Sequence, residues 1–131
     1  MKFIGICLVT DDVLALADFY VQLLGVQVEG DDTHMELKTE GAGLTIFSIE
    51  GMEDMAPGSM KGAGYGSVTI GFEVADVDAE YERLKGLHVE LVKLPKTYPW
   101  GTRSVWFRDP VGNIVNFFTR MDSRTAQLEE R

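Results

Sequence analysis

The sequence contains few side chains that could carry out acid–base, nucleophilic or metal chemistry. Its 131 residues include two histidines, His34 and His88, and one cysteine, Cys7. His34 could act as a base or a hydrogen-bond donor, because imidazole titrates near neutral pH, whereas His88 follows a predicted helix and is expected to be solvated. Cys7 should project into the cleft, where it could act as a nucleophile. A buried, inert thiol is the favoured interpretation, since no cationic neighbour is evident that would stabilise a thiolate. No order of serine, histidine and carboxylate supports a hydrolase triad, and no catalytic residue is assigned.

Acidic and aromatic side chains favour ligand binding rather than catalysis. Strand parity points Glu73 inward, where a carboxylate needs either a partner, with Arg103 as the candidate, or a cationic ligand. A rim position in water is the alternative. Aromatic side chains could line a flat apolar slot for a planar ligand, although Trp106 would belong to the core if its strand register shifted by one residue. The predicted binding residues are Cys7, His34, Phe47, Glu73, Tyr98, Trp100, Arg103, Trp106, Asn116 and Phe118.

Composition and charge argue against several classes of partner. The hydrophobic fraction of 45% and the charged fraction of 25% are ordinary for a globular domain. No apolar run approaches the roughly 20 residues that cross a bilayer, and MKFIGICLVTDD meets acidic residues too early for a signal peptide. A cytoplasmic location is therefore expected. The net charge of −9 would repel nucleic acid and anionic membranes and attract a cationic small molecule. A lone cysteine excludes an internal disulfide and a cysteine-based zinc cluster.

The first half of the chain predicts one strand, one helix and three further strands. FIGICLVT alternates with a period of two, which is typical of a strand. Asp11 or Asp12 caps a helix over DVLALADFYVQLLG, which ends at Gly25. VQVEG, THMELKT and GLTIFSIE follow as short strands separated by glycine-containing turns. Residues 1–50 are therefore predicted to form one βαβββ module.

The same order of elements returns in the second half. Residues 51–66 contain five glycines and no sustained period, which predicts a flexible linker. Matching Asp12 to Asp76 gives an offset of 64 (76 − 12), at which several apolar residues recur. VELVKLP, TRSVWFRD and NIVNFFTR supply three strands, and a turn at RDPVGN joins the last two. Residues 67–120 are predicted to be a second module, followed by a polar tail over 121–131.

These elements predict an α+β fold, with two tandem βαβββ modules that form a curved mixed sheet around a cleft. In each module one sheet face would lie under the helix and the other would face the cleft. The alternation places Ile4, Ile6 and Leu8 under the first helix. It places Val115 and Phe117 under the second.

Three motifs carry a resemblance to a known family. They are the aspartate-capped helix with Phe19-Tyr20 and Leu24-Gly25, the later VADVDA segment, and YPWGTRSVWFRDPVGNIVNFF from Tyr98 to Phe118. Together they resemble the glyoxalase/bleomycin resistance/dioxygenase group, the vicinal-oxygen-chelate superfamily. The Arg-Asp-Pro-x-Gly-Asn turn is the most specific of the motifs, and the resemblance covers residues 1–120. It implies a small-molecule ligand and a homodimer, whose arrangement (swapped, or with an intrachain cleft) stays open.

The resemblance also implies where a metal would be bound. Metal-using members have a histidine on the first strand, seven residues before the capping aspartate; this position is Gly5 here (12 − 7), and its equivalent is Thr69 (76 − 7). A carboxylate lies on the strand after the Asp-Pro-x-Gly-Asn turn, where this chain has Asn116. Aligning Gly43 with Gly112 puts the last ligand position at Phe47. These four residues do not replace two imidazoles and two carboxylates. No metal and no cofactor are therefore expected.

Three functions are consistent with this resemblance. The favoured one is a metal-free small-molecule binding protein similar to the bleomycin-resistance group, which sequesters an aromatic or cationic drug or metabolite, as in antibiotic resistance. The alternative is an enzyme, either a lyase of the lactoylglutathione lyase type or a dioxygenase-like protein, whose usual mechanism needs a Lewis acid. A metal-independent route through Glu73 or His34 as base is also open, and so is a role as a regulatory subunit on the same scaffold.

Overall fold

The computed structural model describes residues 1–64 and 68–121; the tail predicted over 121–131 lies outside these ranges except for Met121. The chain divides into two units, Met1–Gly64 (the first unit) and Tyr65–Arg131 (the second unit). Each unit contains one four-stranded mixed sheet, and a strand, a helix and three strands follow in the same order in both. The predicted duplication of a βαβββ module in an α+β fold is therefore confirmed. Within the described residues, no helix has the length and apolar character that a membrane span requires.

The first unit consists of β1 (Gly5–Thr10), α1 (Val13–Leu24), β2 (Val28–Gly30), β3 (His34–Leu37), β4 (Gly43–Ser48) and α2 (Ile49–Met55). The strand order is β1-β4-β3-β2, with β1 parallel to β4 and the other pairs antiparallel. The side chain of Asp12 accepts a hydrogen bond from Ala15 N and begins α1, and Gly25 ends it with a φ of 66°. The buried stripe of α1 comprises Val13, Leu16, Ala17, Tyr20 and Leu23.

The apolar stripe of β1 is only partly buried. Leu8 is 5% exposed, as the alternation predicts, but Ile6 is 37% and Ile4 is 73% exposed. Ile4 precedes β1, and its carbonyl accepts a hydrogen bond from Gly43 N at 2.6 Å. The prediction that all three residues lie under the helix is therefore wrong for Ile4. The buried apolar sheet residues of this unit are Leu8, Met35, Leu37, Leu44 and Ile46.

A helix occupies the start of the segment predicted to be a flexible linker. The hydroxyl of Ser48 accepts a hydrogen bond from Gly51 N at 2.8 Å and begins α2, which continues to Met55. The Glu53 carboxylate then accepts a hydrogen bond from Gly58 N at 2.6 Å. The linker prediction is therefore wrong for residues 51–55. The buried residue of this helix is Gly51, and because a glycine adds nothing to an apolar period, the sequence pattern does not reveal the helix.

The second unit consists of β5 (Thr69–Glu73), α3 (Val77–Lys85), β6 (Glu90–Tyr98), β7 (Thr102–Arg108) and β8 (Ile114–Arg120). The strand order is β5-β8-β7-β6, and β5 is parallel to β8. Asp76 begins α3 by accepting a hydrogen bond from Ala79 N at 3.2 Å. The buried side chains of its core are Ile70, Val77, Leu84, Val105, Phe107, Val115 and Phe117. The alternation predicted for the last strand is therefore confirmed.

One carboxylate holds the Arg-Asp-Pro-x-Gly-Asn turn. Asp109 is 4% exposed, and its Oδ1 accepts hydrogen bonds from the backbone N–H groups of Val111, Gly112 and Asn113 at 3.0 Å each. Its Oδ2 accepts a hydrogen bond from Asn113 Nδ2, also at 3.0 Å. Gly112 has a φ of 103°, which glycine adopts without strain, and Arg108 donates to its carbonyl at 2.7 Å. The turn thus fixes the connection between β7 and β8.

Candidate functional site

The open face of the second sheet, defined as the face opposite α3, carries an aromatic residue at the centre of β7. Alternation along β7 buries Val105 and Phe107 in the core and places Trp106 on the open face. Trp106 lies opposite Asn116 of β8, which in turn lies opposite Gly71 of β5. The alternative register, in which Trp106 would belong to the core, is therefore excluded.

A cavity of about 340 Å³ lies on this face, at the small end of the range for small-molecule sites, about 300–1,000 Å³. Its lining comes from the end of β6, the turn after it, β7 and β8: Tyr98, Trp100, Thr102, Ser104, Trp106, Asn116 and Phe118. Five of these are predicted binding residues. Thr102 and Ser104 are not, because a small hydroxyl side chain on a strand gives no distinctive signal in a sequence.

Two aromatic rings stack at the edge of this cavity. The centroids of Tyr98 and Trp100 are 4.7 Å apart, and the ring planes differ by 10°. The turn between them is closed by a hydrogen bond from Gly101 N to Tyr98 O at 3.1 Å, and Gly101 has a φ of 94°. Trp100 is nevertheless 72% exposed. The pair therefore presents a flat apolar surface to solvent, which suits contact with a planar molecule.

A lysine that the sequence analysis does not identify contacts the same rings. The Nζ of Lys93 lies 4.9 Å from the ring centroid of Tyr98 and 5.3 Å from that of Trp106. It donates hydrogen bonds to the carbonyl and the hydroxyl of Ser104 at 2.8 and 2.9 Å. The Nζ of Lys96 lies 5.2 Å from the Tyr98 ring. Both cations therefore lie beside the aromatic wall of the cavity.

Two polar atoms in the cavity wall lack hydrogen-bond partners. They are the indole Nε1 of Trp106 and the Oδ1 of Asn116, and both are buried at the atom level within the described part of the chain. One is a donor and the other an acceptor, on residues that face each other across β7 and β8. A buried polar group without a partner costs about 1–3 kcal/mol, so these atoms mark a point where a bound polar group would improve the site.

The carboxylate and the guanidinium predicted to pair do not do so. Glu73 pairs with Arg120 at 2.9 Å, and its side chain is 57% exposed, so the alternative of a rim carboxylate in water is correct. Arg103 lies on the α3 side of the sheet, where its guanidinium donates to the Asp78 carboxylate at 2.8 and 3.0 Å and to the Thr97 hydroxyl at 3.0 Å. Because of these bonds, the pKa of Asp78 lies below its ordinary value. Arg103 is therefore not a residue of the open face.

Three predicted binding residues lie in the first unit. His34 and Phe47 face each other on β3 and β4, with ring centroids 5.7 Å apart. Cys7 lies opposite Thr45 on the face of β1 away from α1, and it is exposed, so the prediction of a buried thiol is wrong. His88 is exposed, as expected. The remaining predicted binding residues belong to the second unit.

The strand register tests the alignment that assigned a metal position to Phe47. Gly5 lies opposite Gly43, and Thr69, its equivalent in the second unit, lies opposite Ile114. Gly43 therefore corresponds to Ile114 and not to Gly112. The assignment of Phe47 is wrong by two residues, and the equivalent position is Thr45.

The residues at the corrected positions do not fit a divalent cation. Gly5 has no donor side chain, Thr45 and Thr69 offer neutral hydroxyls, and Asn116 offers an amide, all weaker ligands than imidazole or carboxylate. Across residues 1–64 and 68–121 there is no group of three or more His, Cys, Asp or Glu side chains that could hold a metal ion.

Gly5 also lacks room for a side chain. Its φ is 151°, and a Cβ added there would overlap the carbonyl of Gly43. The two backbones come together because Gly43 N donates to Ile4 O at 2.6 Å. A histidine at this position would therefore force β1 and β4 apart.

Comparison with known proteins gives matches to one sequence family and to several solved structures. Residues 2–117 match the model of the glyoxalase/bleomycin resistance protein/dioxygenase superfamily. No curated protein matches the sequence. Among solved structures, a glyoxalase/bleomycin resistance protein/dioxygenase from Nocardioides is 23% identical with a TM-score of 0.78, over 93% of this chain and 85% of that one.

Two further structures extend this comparison. A glyoxalase/bleomycin resistance protein/dioxygenase family enzyme from Burkholderia phytofirmans PsJN is 18% identical with a TM-score of 0.82, over 92% of this chain and 100% of that one. A lactoylglutathione lyase from Agrobacterium tumefaciens is 22% identical with a TM-score of 0.72, over 90% and 92%. At identities this low, the three structures support the fold and not a shared activity.

Proposed function

Because this chain belongs to the glyoxalase/bleomycin resistance protein/dioxygenase superfamily, we propose that it is a metal-free binding protein for a planar aromatic small molecule. The fold supports several chemistries, so the proposal rests on side chains rather than on membership. The observation that carries it is the cavity on the open face of the second sheet, whose wall contains Tyr98, Trp100, Trp106 and Phe118.

These four side chains supply the interactions that a planar molecule needs. A ring placed against the exposed Trp100 would extend the Tyr98–Trp100 stack. Each aromatic pair contributes about 0.5–1.5 kcal/mol beyond the burial of apolar area, and that burial adds about 25 cal/mol per Å². The unpartnered polar atoms of Trp106 and Asn116 would orient a ligand that carries a polar substituent.

Sequestration without bond chemistry is favoured over catalysis by the donor types. Lyase and dioxygenase mechanisms of this superfamily use a Lewis acid to polarise oxygen atoms. Gly5, Thr45, Thr69 and Asn116 supply no imidazole or carboxylate at the positions where such a metal would be held. The proposed role is therefore similar in kind to that of the bleomycin-resistance proteins.

We also propose that the protein is a homodimer. Large apolar side chains are exposed at or just before two edge strands, Ile4 and Ile6 at β1, and Leu91, Val92 and Leu94 on β6. Exposed apolar edges favour association with another chain. Light scattering coupled to gel filtration should give twice the mass of 14.6 kDa; a monomer at micromolar concentration would contradict this proposal.

Tryptophan fluorescence tests the binding function. A panel of naphthalene, anthracene and acridine derivatives should include compounds that quench the tryptophan emission saturably. Their dissociation constants should lie below about 1 mM, which corresponds to a binding free energy of about −4 kcal/mol. Trp100→Leu should weaken binding, whereas Phe3→Leu, which changes an exposed aromatic residue of the first unit, should not. Absence of saturable quenching by every compound would contradict the proposal.

A further inference from the structure

Lys93 differs from five other described cationic side chains in having no described carboxylate partner. Lys38, Arg83, Lys85, Arg103 and Arg120 all pair with acidic residues. Lys93 forms no ion pair within residues 1–64 and 68–121, although it is only partly exposed. All of its described polar and aromatic neighbours, Tyr98, Ser104 and Trp106, line the cavity.

The Lys93 ammonium retains the capacity to bind an anion. An ammonium has three N–H donors, and its two described hydrogen bonds both go to Ser104. The Trp106 indole N–H, a further donor without a partner, belongs to a ring whose centroid is 5.3 Å from the Lys93 nitrogen. Two donors with unused capacity thus lie beside one aromatic cavity. The carboxylate of Glu73, at the end of β5 in the same sheet, is already paired with Arg120.

We infer that the planar ligand carries an anionic group, such as a carboxylate, that binds the ammonium of Lys93. This inference rests on the proposed function and specifies the class of ligand. A charge-assisted hydrogen bond is about twice as strong as a neutral one, so an anion would stabilise the complex. A cationic ligand would place a like charge beside Lys93 and Lys96.

The local charge outweighs the net charge of the chain at this site. The total of −9 favours cations at long range, but charges in water are screened over about 8 Å at physiological ionic strength. The nitrogen atoms of Lys93 and Lys96 lie 4.9 and 5.2 Å from the Tyr98 ring centroid, well inside that distance. Selectivity within the cavity is therefore set by these lysines.

Three probes that share one ring system and differ in charge test the inference. The affinities of 2-naphthoate, 2-naphthamide and 2-naphthylmethylammonium for the full chain are measured by isothermal titration calorimetry. We expect naphthoate to bind about tenfold or more tightly than naphthamide, and the ammonium probe to bind most weakly. Lys93→Met should bring naphthoate to the affinity of naphthamide. Lys61→Met, which removes the same charge in the first unit, should leave the ratio unchanged; circular dichroism shows that both variants fold.

The outcomes separate this inference from the proposed function. If naphthoate and naphthamide bind equally, or if Lys93→Met weakens both by the same factor, the anion preference is refuted while the aromatic site stands. Tightest binding of the ammonium probe also refutes it. If none of the probes binds, the proposed function fails and the inference fails with it.

Discussion

Replacing Asp109 by alanine tests whether the most specific motif of the sequence has a structural role. The carboxylate accepts hydrogen bonds from three backbone N–H groups and one side-chain amide, and the residue is 4% exposed. A hydrogen bond to a charged group contributes about 1.5–3 kcal/mol, and bonds that share one acceptor do not add fully. We expect the free energy of unfolding to fall by about 3–5 kcal/mol, with a decrease in Tm of roughly 10 °C or more.

Urea denaturation followed by circular dichroism measures this change. Asp76→Ala is the matched control, because Asp76 caps α3 by accepting a hydrogen bond from Ala79 N, and the loss of this cap should lower the free energy of unfolding by about 1 kcal/mol. The slope of the free energy of unfolding against urea concentration should be equal in the two variants. If Asp109→Ala destabilises the protein no more than Asp76→Ala, Asp109 does not stabilise the turn as its hydrogen bonds imply.

Three further variants test separate parts of the account. Gly5→His should lower the free energy of unfolding by more than about 2 kcal/mol, because a Cβ at this position overlaps Gly43. Calorimetry of this variant with Ni²⁺ or Zn²⁺ should detect no new metal site; tight stoichiometric binding of either ion would contradict the prediction. Arg103 lowers the pKa of Asp78, so this pair stabilises the fold above the ordinary carboxyl pKa of about 3.9, and its contribution is lost as the pH falls through the lowered value. The free energy of unfolding of the unmodified protein should therefore exceed that of Asp78→Asn by less below pH about 4. An excess that stays constant with pH in urea denaturation would contradict a stabilising Asp78–Arg103 pair. Trp106→Phe removes a buried donor without a partner, so it should change the free energy of unfolding by less than about 1 kcal/mol. Phe107→Ala, in the core of the same strand, should lower it by about 3–5 kcal/mol. Similar decreases in the two variants would argue against an unsatisfied indole N–H.

Much of the fold could be predicted from the sequence because its signals are local. Asp12 and Asp76 each cap a helix through a side-chain hydrogen bond, and the alternation of β8 identifies its buried face. The end of the apolar pattern of β1 could not be predicted in this way. Ile4 has the right parity, but burial depends on where a strand begins and what covers it, and Ile4 precedes β1.

The candidate site could be predicted only where strand parity is regular. Tyr98, Trp100, Trp106, Asn116 and Phe118 all line the cavity. Lys93 could not be identified, because register shifts between Leu91 and Lys93 and between Lys93 and Lys96 break the alternation of β6. The error at Phe47 also concerns strand register. The register between β1 and β4 depends on contacts between residues far apart in the sequence, which a local pattern does not contain.

The wrong partner assigned to Glu73 has a different physical cause. Charge alone made Arg103 a reasonable candidate, but Arg103 has the parity of Val105 and Phe107 and therefore extends toward α3, where Asp78 lies. Arg120, two residues after Phe118 on the adjacent strand, reaches Glu73 instead. The sequence shows which side chains have opposite charges, but an ion pair forms only between side chains on the same face of the sheet.

An NMR titration of the indole N–H signals tests whether the aromatic cavity of the second unit binds a planar ligand without a metal. The chain has two tryptophans, Trp100 and Trp106, and both line this cavity. With 2-naphthoate as ligand, both signals should shift along the same saturation curve, and the curve should be identical in excess EDTA and in added Ni²⁺. Signals that stay in place, or that move only when the metal is present, would contradict metal-free binding in this cavity.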